Sequence, residues 1–189
     1  MNEVINSILS RRSIRKFSDK PVPKEDIITI INVGMSAPSG QGKNTWEFIA
    51  VTNADKIKEL APVVGRVAEK ENYDFYNPVA LIITTNEKTS IWGKEDNACA
   101  MQNMALAAHS MGIGSVWINQ MNYGKSDDAE LRALLAGLGV KDDHTVYGVL
   151  AIGYDMNKPR GIVEKKGTYK ILEELVKERI RLPYPFFLV

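Results

Sequence analysis

The chain has 189 residues, of which 44% are hydrophobic and 25% are charged, the composition of a globular protein. Its formal net charge of +1 argues against a general nucleic-acid-binding protein, which usually carries a large basic excess. One cysteine and two histidines exclude an intramolecular disulfide and argue against a metal site built from these residues. There is no signal-peptide pattern and no apolar run that could span a membrane, so we expect a cytoplasmic protein without a membrane partner.

The first third of the chain predicts two helices and a strand. Apolar residues at helical spacing predict a short helix at about 4–9, which the basic segment at 11–16 follows. A second helix at 24–37 has Ile27, Ile28, Ile31 and Met35 on its predicted apolar face and ends before Pro38. The apolar run at 48–52 then predicts a buried strand.

Helices and strands alternate through the rest of the chain. Helical patterns occupy 54–70, 91–111, 127–138 and 168–181, and strand patterns occupy 79–85, 115–119 and 146–153. The longest helix carries alanines on one face and ends at Gly112, because glycine readily adopts the left-handed conformation. We therefore expect one domain over residues 1–189, with a central sheet flanked by helices.

The C-terminal segment, residues 182–189, is rich in Phe, Tyr and Leu. Such a segment is costly in water, so we expect it to pack on apolar surface. The residues alone leave two alternatives open, this subunit's own core or a partner subunit.

The stretch Ala37 to Trp46, APSGQGKNTW, has the glycines and the lysine of a ligand-binding loop. It is not a nucleotide P-loop, because Asn44 follows Gly42-Lys43 and the loop joins a helix to a strand, the reverse of the P-loop order. A dinucleotide fingerprint is absent too, since the third glycine that would follow Gly112 and Gly114 is replaced by Trp117.

Arg11, Arg12, Ser13 and Arg15 lie one helix before this loop. Guanidinium groups and a hydroxyl suit an anionic group such as phosphate, and the intervening helix could return the chain so that both segments reach one pocket. The alternative is that the basic residues only stabilise the C-terminal end of the first helix.

Four segments in register resemble the FMN-dependent nitroreductase family. They are RRSIRKF at the N-terminus, APSG with Asn44 and Trp46, DNACAMQNMALAAHSMGIGSVWI, and GVLAIGY. Together they span nearly the whole chain. The resemblance implies an α+β fold, an α-β-α sandwich with a mostly antiparallel central sheet, and an intertwined homodimer with FMN in clefts at the interface.

The resemblance also implies which residues would bind FMN. Arg11, Arg12 and Ser13 would hold the phosphate and ribityl chain, and Arg15 would reach the pyrimidine side of the ring, where a cation favours reduction. The other implied cofactor contacts are Pro38, Ser39, Gly40 and Asn44 from the partner subunit, the backbone at Ile118, Asn119 and Gln120 near flavin N5, and Lys165 and Lys166 on the phosphate. Two departures from the family pattern are Gly42, where many members carry Asn, and Asp155, where Pro often follows the Gly-Tyr pair.

The activity implied by the resemblance is hydride transfer from NADH or NADPH through FMN to a small electron acceptor such as a nitroaromatic or a quinone, in a ping-pong cycle. No catalytic side chain and no metal ligand is assigned, because the cofactor supplies the chemistry. Two alternatives stay open: the same fold with a dehalogenase or heterocycle-oxidase reaction, or a flavin-binding protein without turnover. In either case the dimer contact implied for 182–189 agrees with its apolar sequence.

Three residues with reactive side chains are expected to have structural roles. His109 is predicted to pack on the long helix, His144 to lie in a surface loop, and Cys99 to be a small core residue.

Overall fold

The structure, a computed structural model, describes residues 2–122, 125–157 and 161–171. Five α-helices and four β-strands lie in these ranges. The helices are α1 (Glu3–Ser10), α2 (Lys24–Met35), α3 (Ala54–Val67), α4 (Gly93–Ser110) and α5 (Ala129–Gly137). The strands are β1 (Trp46–Val51), β2 (Ala80–Glu87), β3 (Gly114–Ile118) and β4 (His144–Gly153). In the described ranges no helix is both long and apolar enough to cross a bilayer.

The four strands form one antiparallel sheet in the order β1-β2-β4-β3. Successive residues of a strand point to opposite faces, so the central apolar strands supply two separate cores. Leu81 and Ile83 of β2 pack with α3 and α5, whereas Ile82 packs with α2 and α4. This arrangement confirms the predicted α+β sandwich with an antiparallel sheet.

Local sequence signals explain where several helices begin and end. The side chains of Asn2, Asn53 and Asp128 accept hydrogen bonds from backbone N–H groups in the first turns of α1, α3 and α5. Gly112, with φ of 73°, ends α4 as the sequence predicts, and the Ile113 N–H donates to the Ala108 carbonyl at 2.8 Å.

The structure corrects the predicted apolar face of α2. Ile27 and Ile30 are buried, whereas Ile28 and Met35 are about half exposed. The buried face approaches α4 closely, because a Cβ on Gly34 would lie only 2.7 Å from Cγ of Met104. The extra apolar residues therefore form a second, exposed stripe on the same helix.

The predictions for Cys99 and His144 are wrong. Cys99 is exposed on α4 because it lies on the side of that helix that faces away from the sheet. His144 is buried as the first residue of β4, and its Nδ1 lies 2.9 Å from the Thr85 hydroxyl. The predicted packing of His109 is confirmed, since its Nε2 lies 2.8 Å from the Ser10 hydroxyl in a partly buried contact.

The predicted helix at 168–181 is described only at its start. Residues 168–171 have no regular secondary structure, and the remainder lies outside the described residues. The apolar segment 182–189 lies outside them as well. Its packing, and a single domain over the whole chain, stay predictions.

Candidate functional site

The basic segment after α1 runs along the edge of the sheet. Ser13 forms a parallel bridge with Ser115 of β3, and the Ile14 N–H donates to the Ser115 carbonyl at 2.9 Å. The segment is extended here, so neighbouring side chains alternate in direction. Ile14 packs against the core formed with α3 and α5, while Ser13 and Arg15 are exposed.

The arginines of this segment are available to an external anion. In the described part of the chain, none of Arg11, Arg12 and Arg15 forms an ion pair with a carboxylate. Nε of Arg11 is buried without a hydrogen-bond partner there. A buried donor left unpaired is costly, and an oxyanion would satisfy it. The Arg11 N–H donates to the Ser7 carbonyl, so the basic segment starts at the C-terminal end of α1, and the alternative role of its side chains there stays open.

Arg15 has an aromatic neighbour on a tightly turned segment. Its guanidinium carbon lies 5.8 Å from the centre of the Tyr76 ring, within the range of a cation–π interaction. Three successive residues, Phe75, Tyr76 and Asn77, have positive φ, and Asp74 accepts hydrogen bonds from the Tyr76 N–H and the Asn77 side chain. The turn thus holds the Tyr76 ring beneath Arg15.

The end of β3 lies next to this basic segment. Ser115, which forms the bridge with Ser13, precedes Ile118 by three residues, about 10 Å along the strand. The Asn119 side chain accepts a hydrogen bond from the Trp117 indole at 2.7 Å, and Oε1 of Gln120 is buried without a partner in the described structure. One chain therefore brings two of the predicted cofactor-binding groups together.

The loop 38–44 lies elsewhere. Ser39 and Gly40 hydrogen-bond Asp96 in the first turns of α4, whereas Ser10, next to Arg11, contacts His109 near the other end of that helix. Asp96 and His109 are thirteen positions apart on the helix, about 20 Å. The expectation that α2 returns both segments to one pocket of one chain is therefore wrong, because α4 lies between them as a spacer.

The individual loop residues differ in exposure and bonding. Pro38 and Asn44 are exposed, and the Asn44 side chain donates to the Gly42 carbonyl at 3.0 Å. Gly40 packs against the Trp92 indole, where a Cβ would lie 2.3 Å from Cγ. Gly42 has φ of 66°, a left-handed backbone conformation that glycine adopts without strain.

Lys165 and Lys166 lie in an exposed segment without regular secondary structure. Within the described residues, neither the described ion pairs nor the described hydrogen bonds join them to the basic segment. Their predicted contact with a phosphate stays a prediction.

Sequence reasoning missed Asp96, Asn97 and Tyr76, which position the candidate cofactor-binding residues. Asp96 and Asn97 carried no sequence signal of burial, because acidic and polar residues are common in the first turns of a helix. Tyr76 had no signal either, because its contact with Arg15 depends on a turn that sequence periodicity does not report.

The antiparallel sandwich defines an α+β protein, and the basic sheet edge is its candidate site for an anionic group. The chain belongs to the nitroreductase family, whose model matches residues 8–154.

Several known proteins are similar to this chain over most of its length. The solved structure of a nitroreductase with bound FMN from Bacteroides fragilis is 38% identical, covers 92% of this chain and 100% of its own, and has a TM-score of 0.82. A relative from Methanothermobacter thermautotrophicus, provisionally named NADH dehydrogenase/NAD(P)H nitroreductase, is 34% identical over 83% of this chain and 80% of its own length. The NADPH-flavin oxidoreductase of Vibrio harveyi is 29% identical over 84% of this chain and 68% of its own length.

Proposed function

We propose that this protein is an FMN-dependent oxidoreductase that uses NADH or NADPH to reduce small electron-poor acceptors such as nitroaromatics or quinones. FMN, when bound, supplies the redox chemistry by accepting a hydride and passing it on in a ping-pong cycle. The observation that carries the proposal is that an arginine cluster without a carboxylate partner among the described residues shares one sheet edge with β3. The similarity to an FMN-bound nitroreductase supports it.

The residues present fit FMN in their chemistry. Arg11, with an unpaired buried Nε, together with Arg12 and Ser13, provides charge-assisted donors for a phosphate. Arg15 provides a positive charge beside the place for the ring, where negative charge develops on reduction.

At the end of β3, Ile118, Asn119 and Gln120 offer backbone groups and an unpaired buried side-chain oxygen. These residues bind and orient the cofactor. The described chain supplies no side chain that we assign to acid–base catalysis.

The remaining candidate contacts require a second chain. Ser39, Gly40 and Asn44 are about 20 Å along α4 from Arg11, so in the proposal they line the cofactor that is held by the partner subunit's arginines. This geometry supports a homodimer as the active unit. Lys165 and Lys166 are proposed as additional phosphate contacts, and the cytoplasm stays the expected location.

The first experiment is to record the absorbance spectrum of the purified protein before and after FMN is added and the excess removed. Flavin bands that remain with the protein are expected, followed by steady-state oxidation of NADH or NADPH with menadione or nitrofurazone. Bound flavin without turnover would favour a flavin-binding protein. A protein that cannot retain FMN would contradict the proposal.

Arg11→Ala is the variant that tests the phosphate site. Loss of a charge-assisted hydrogen bond to phosphate is worth about 1.5–3 kcal/mol, so FMN should bind roughly 10- to 100-fold more weakly. Lys16→Ala is the matched control, because it removes the same charge from an exposed neighbour that the proposal does not use. Equal FMN affinity in the two variants would remove Arg11 from the site.

A further inference from the structure

We infer that Asp96 and Asn97, at the start of α4, hold the loop 39–45 in the conformation in which it contacts the cofactor. The inference rests on the proposed function, which gives this loop its role. Asp96 and Asn97 are positioning residues, since Asp96 bonds to the loop directly and Asn97 acts on it through Asn86, and neither touches the reacting atoms.

Asp96 anchors the first half of the loop. Its side chain is 5% exposed, and its two carboxylate oxygens accept hydrogen bonds from the Ser39 hydroxyl and the Gly40 N–H, each at 2.8 Å. The Ser39 oxygen in turn accepts a hydrogen bond from the Asn44 N–H at 3.0 Å. One buried carboxylate thus fixes the positions of three residues that we propose to line the cofactor.

Asn97 anchors the other end of the loop. Its Oδ1 accepts a hydrogen bond from the Asn86 side chain at 2.9 Å, and Oδ1 of Asn86 accepts one from the Thr45 hydroxyl at 2.7 Å. Asn97 also donates to the Thr85 carbonyl at 3.1 Å. Asn86 and Asn97 are almost completely buried, so these hydrogen bonds are shielded from water.

The loop needs such anchors because its own conformation is unfavourable. Gln41 has φ of 57°, in the left-handed region that side chains other than Asn and Asp rarely adopt, and Asn44 has φ of 51° in the same region. Both side chains are exposed, so no apolar burial compensates. The polar contacts to α4 therefore determine the loop's shape, and a preshaped loop binds a ligand without the cost of ordering it.

The same geometry assigns Ser39 a different role from the one implied by the family resemblance. Its proton points to Asp96, so Ser39 has no donor left for a flavin oxygen. We therefore treat Ser39 as part of the anchor. Removing its hydroxyl should change FMN binding in the same direction as removing the Asp96 carboxylate, and the two effects should not add.

The test compares Asp96→Ala, Asp96→Asn and the control Glu95→Ala. Glu95 is an exposed acid in the same helical turn, and it has no described hydrogen bond to the loop. In Asp96→Asn the amide can still accept from Gly40 and can donate to the Ser39 oxygen. FMN should bind at least about tenfold more weakly to the Ala variant, and two- to fivefold more weakly to the Asn variant, than to wild type or the control.

A second measurement separates loop positioning from a general loss of stability. Hydrogen–deuterium exchange should show faster exchange of the Gly40 and Asn44 amides in Asp96→Ala, with the amides of β2 and β4 unchanged. If the Ala variant does not fold, the intermediate affinity and exchange of the Asn variant carry the test.

Each outcome decides a separate point. Wild-type FMN affinity in a folded Asp96→Ala protein, or unchanged exchange of the loop amides, would overturn the inference. A wild-type protein that takes up no FMN would instead overturn the proposed function and the cofactor part of this inference together, whereas faster loop exchange in the variants would still support the anchor itself.

Discussion

At the scale of single residues, His109 makes the stability of the folded protein depend on pH, because its ring is partly buried near Arg11. Burial lowers the pKa of His109, and the positive charge of Arg11 lowers it further. The neutral ring is thus favoured in the folded protein. Between the folded pKa and the ordinary value of 6.5, the unfolded chain binds more protons than the folded one, so the free energy of unfolding falls as the pH is lowered through this window.

We predict that His109→Gln reduces this acid sensitivity. Well above pH 6.5 the ring is neutral in both states, so the difference in melting temperature between wild type and variant should be constant there. Below it, the wild-type melting temperature should fall more steeply, by a few degrees at most because the ring is only partly buried. Thermal unfolding followed by circular dichroism over a pH series measures the effect, and parallel curves throughout would contradict it.

At the scale of elements, α5 is fixed to α3 through its first residues. Asp128 caps α5 by accepting a hydrogen bond from the Leu131 N–H, and it pairs with Arg66 of α3 through both carboxylate oxygens. The hydrogen bond from Arg66 is the main reason that the pKa of Asp128 is lowered. Glu130 contacts the same guanidinium through one oxygen and has no capping role.

Replacing each acid with alanine separates the two roles. Asp128→Ala loses the cap and the bidentate pair, so its melting temperature should fall by several degrees, whereas Glu130→Ala should change little because an exposed single contact contributes little. The stabilisation from Asp128 should also be lost when the pH falls through its lowered pKa. Equal melting temperatures for the two variants near neutral pH would show that the cap is not important.

Sequence patterns predicted the order of elements because burial imposes periods of 3.6 and 2 residues. They could not tell which surface an apolar stripe faces. Val4, Ile5 and Ile8 form the predicted helical stripe of α1, yet 67%, 45% and 49% of each is exposed in the single chain. Similarly, the start of β4 was missed because His144 is polar, although its hydrogen bond to Thr85 allows it to be buried.

The candidate site was predicted from the sequence only as far as residue types and family resemblance allow. The arginines and the β3 end were found because charge and strand pattern mark them. The separation of Ser39 from Arg11 could not be predicted, because it depends on the length and direction of α4. A buried acid such as Asp96 is likewise recognised only when its partners are known.

At the scale of the whole molecule, β1 has a free edge, since it pairs only with β2 in the described sheet. A largely apolar groove beside it is lined by Ile31, Met35, Trp46 and Phe48, together with Asn44 and Glu47. An exposed strand edge and an apolar groove are surfaces that proteins usually cover. The predicted packing of residues 182–189 on a partner subunit would provide such a cover.

Deleting residues 182–189 tests that prediction. If the segment contacts a partner, the truncated protein should dissociate at higher concentrations than the full chain, because apolar area buried between subunits is exposed. Light scattering over a concentration series measures the mass. An unchanged mass at every concentration would contradict the dimer contact.

The last prediction follows from the 20 Å that α4 places between the arginine cluster and the loop. If one cofactor is bound by the arginines of one subunit and the loop of the other, variants in the two segments should complement each other. Arg11→Ala combined with Arg15→Ala removes the first contribution, and Gly40→Val removes the second, because a side chain there collides with Trp92.

Each variant alone should bind little FMN. After the two folded proteins are mixed under conditions that exchange subunits, half of the dimers should contain one chain of each kind, and each such dimer has one site with both contributions intact. About a quarter of the wild-type flavin sites should therefore return, as should the corresponding NADH or NADPH oxidation. No recovery despite proven subunit exchange would mean that the two segments do not share a cofactor between subunits, and the loop would then lose its place in the proposed site.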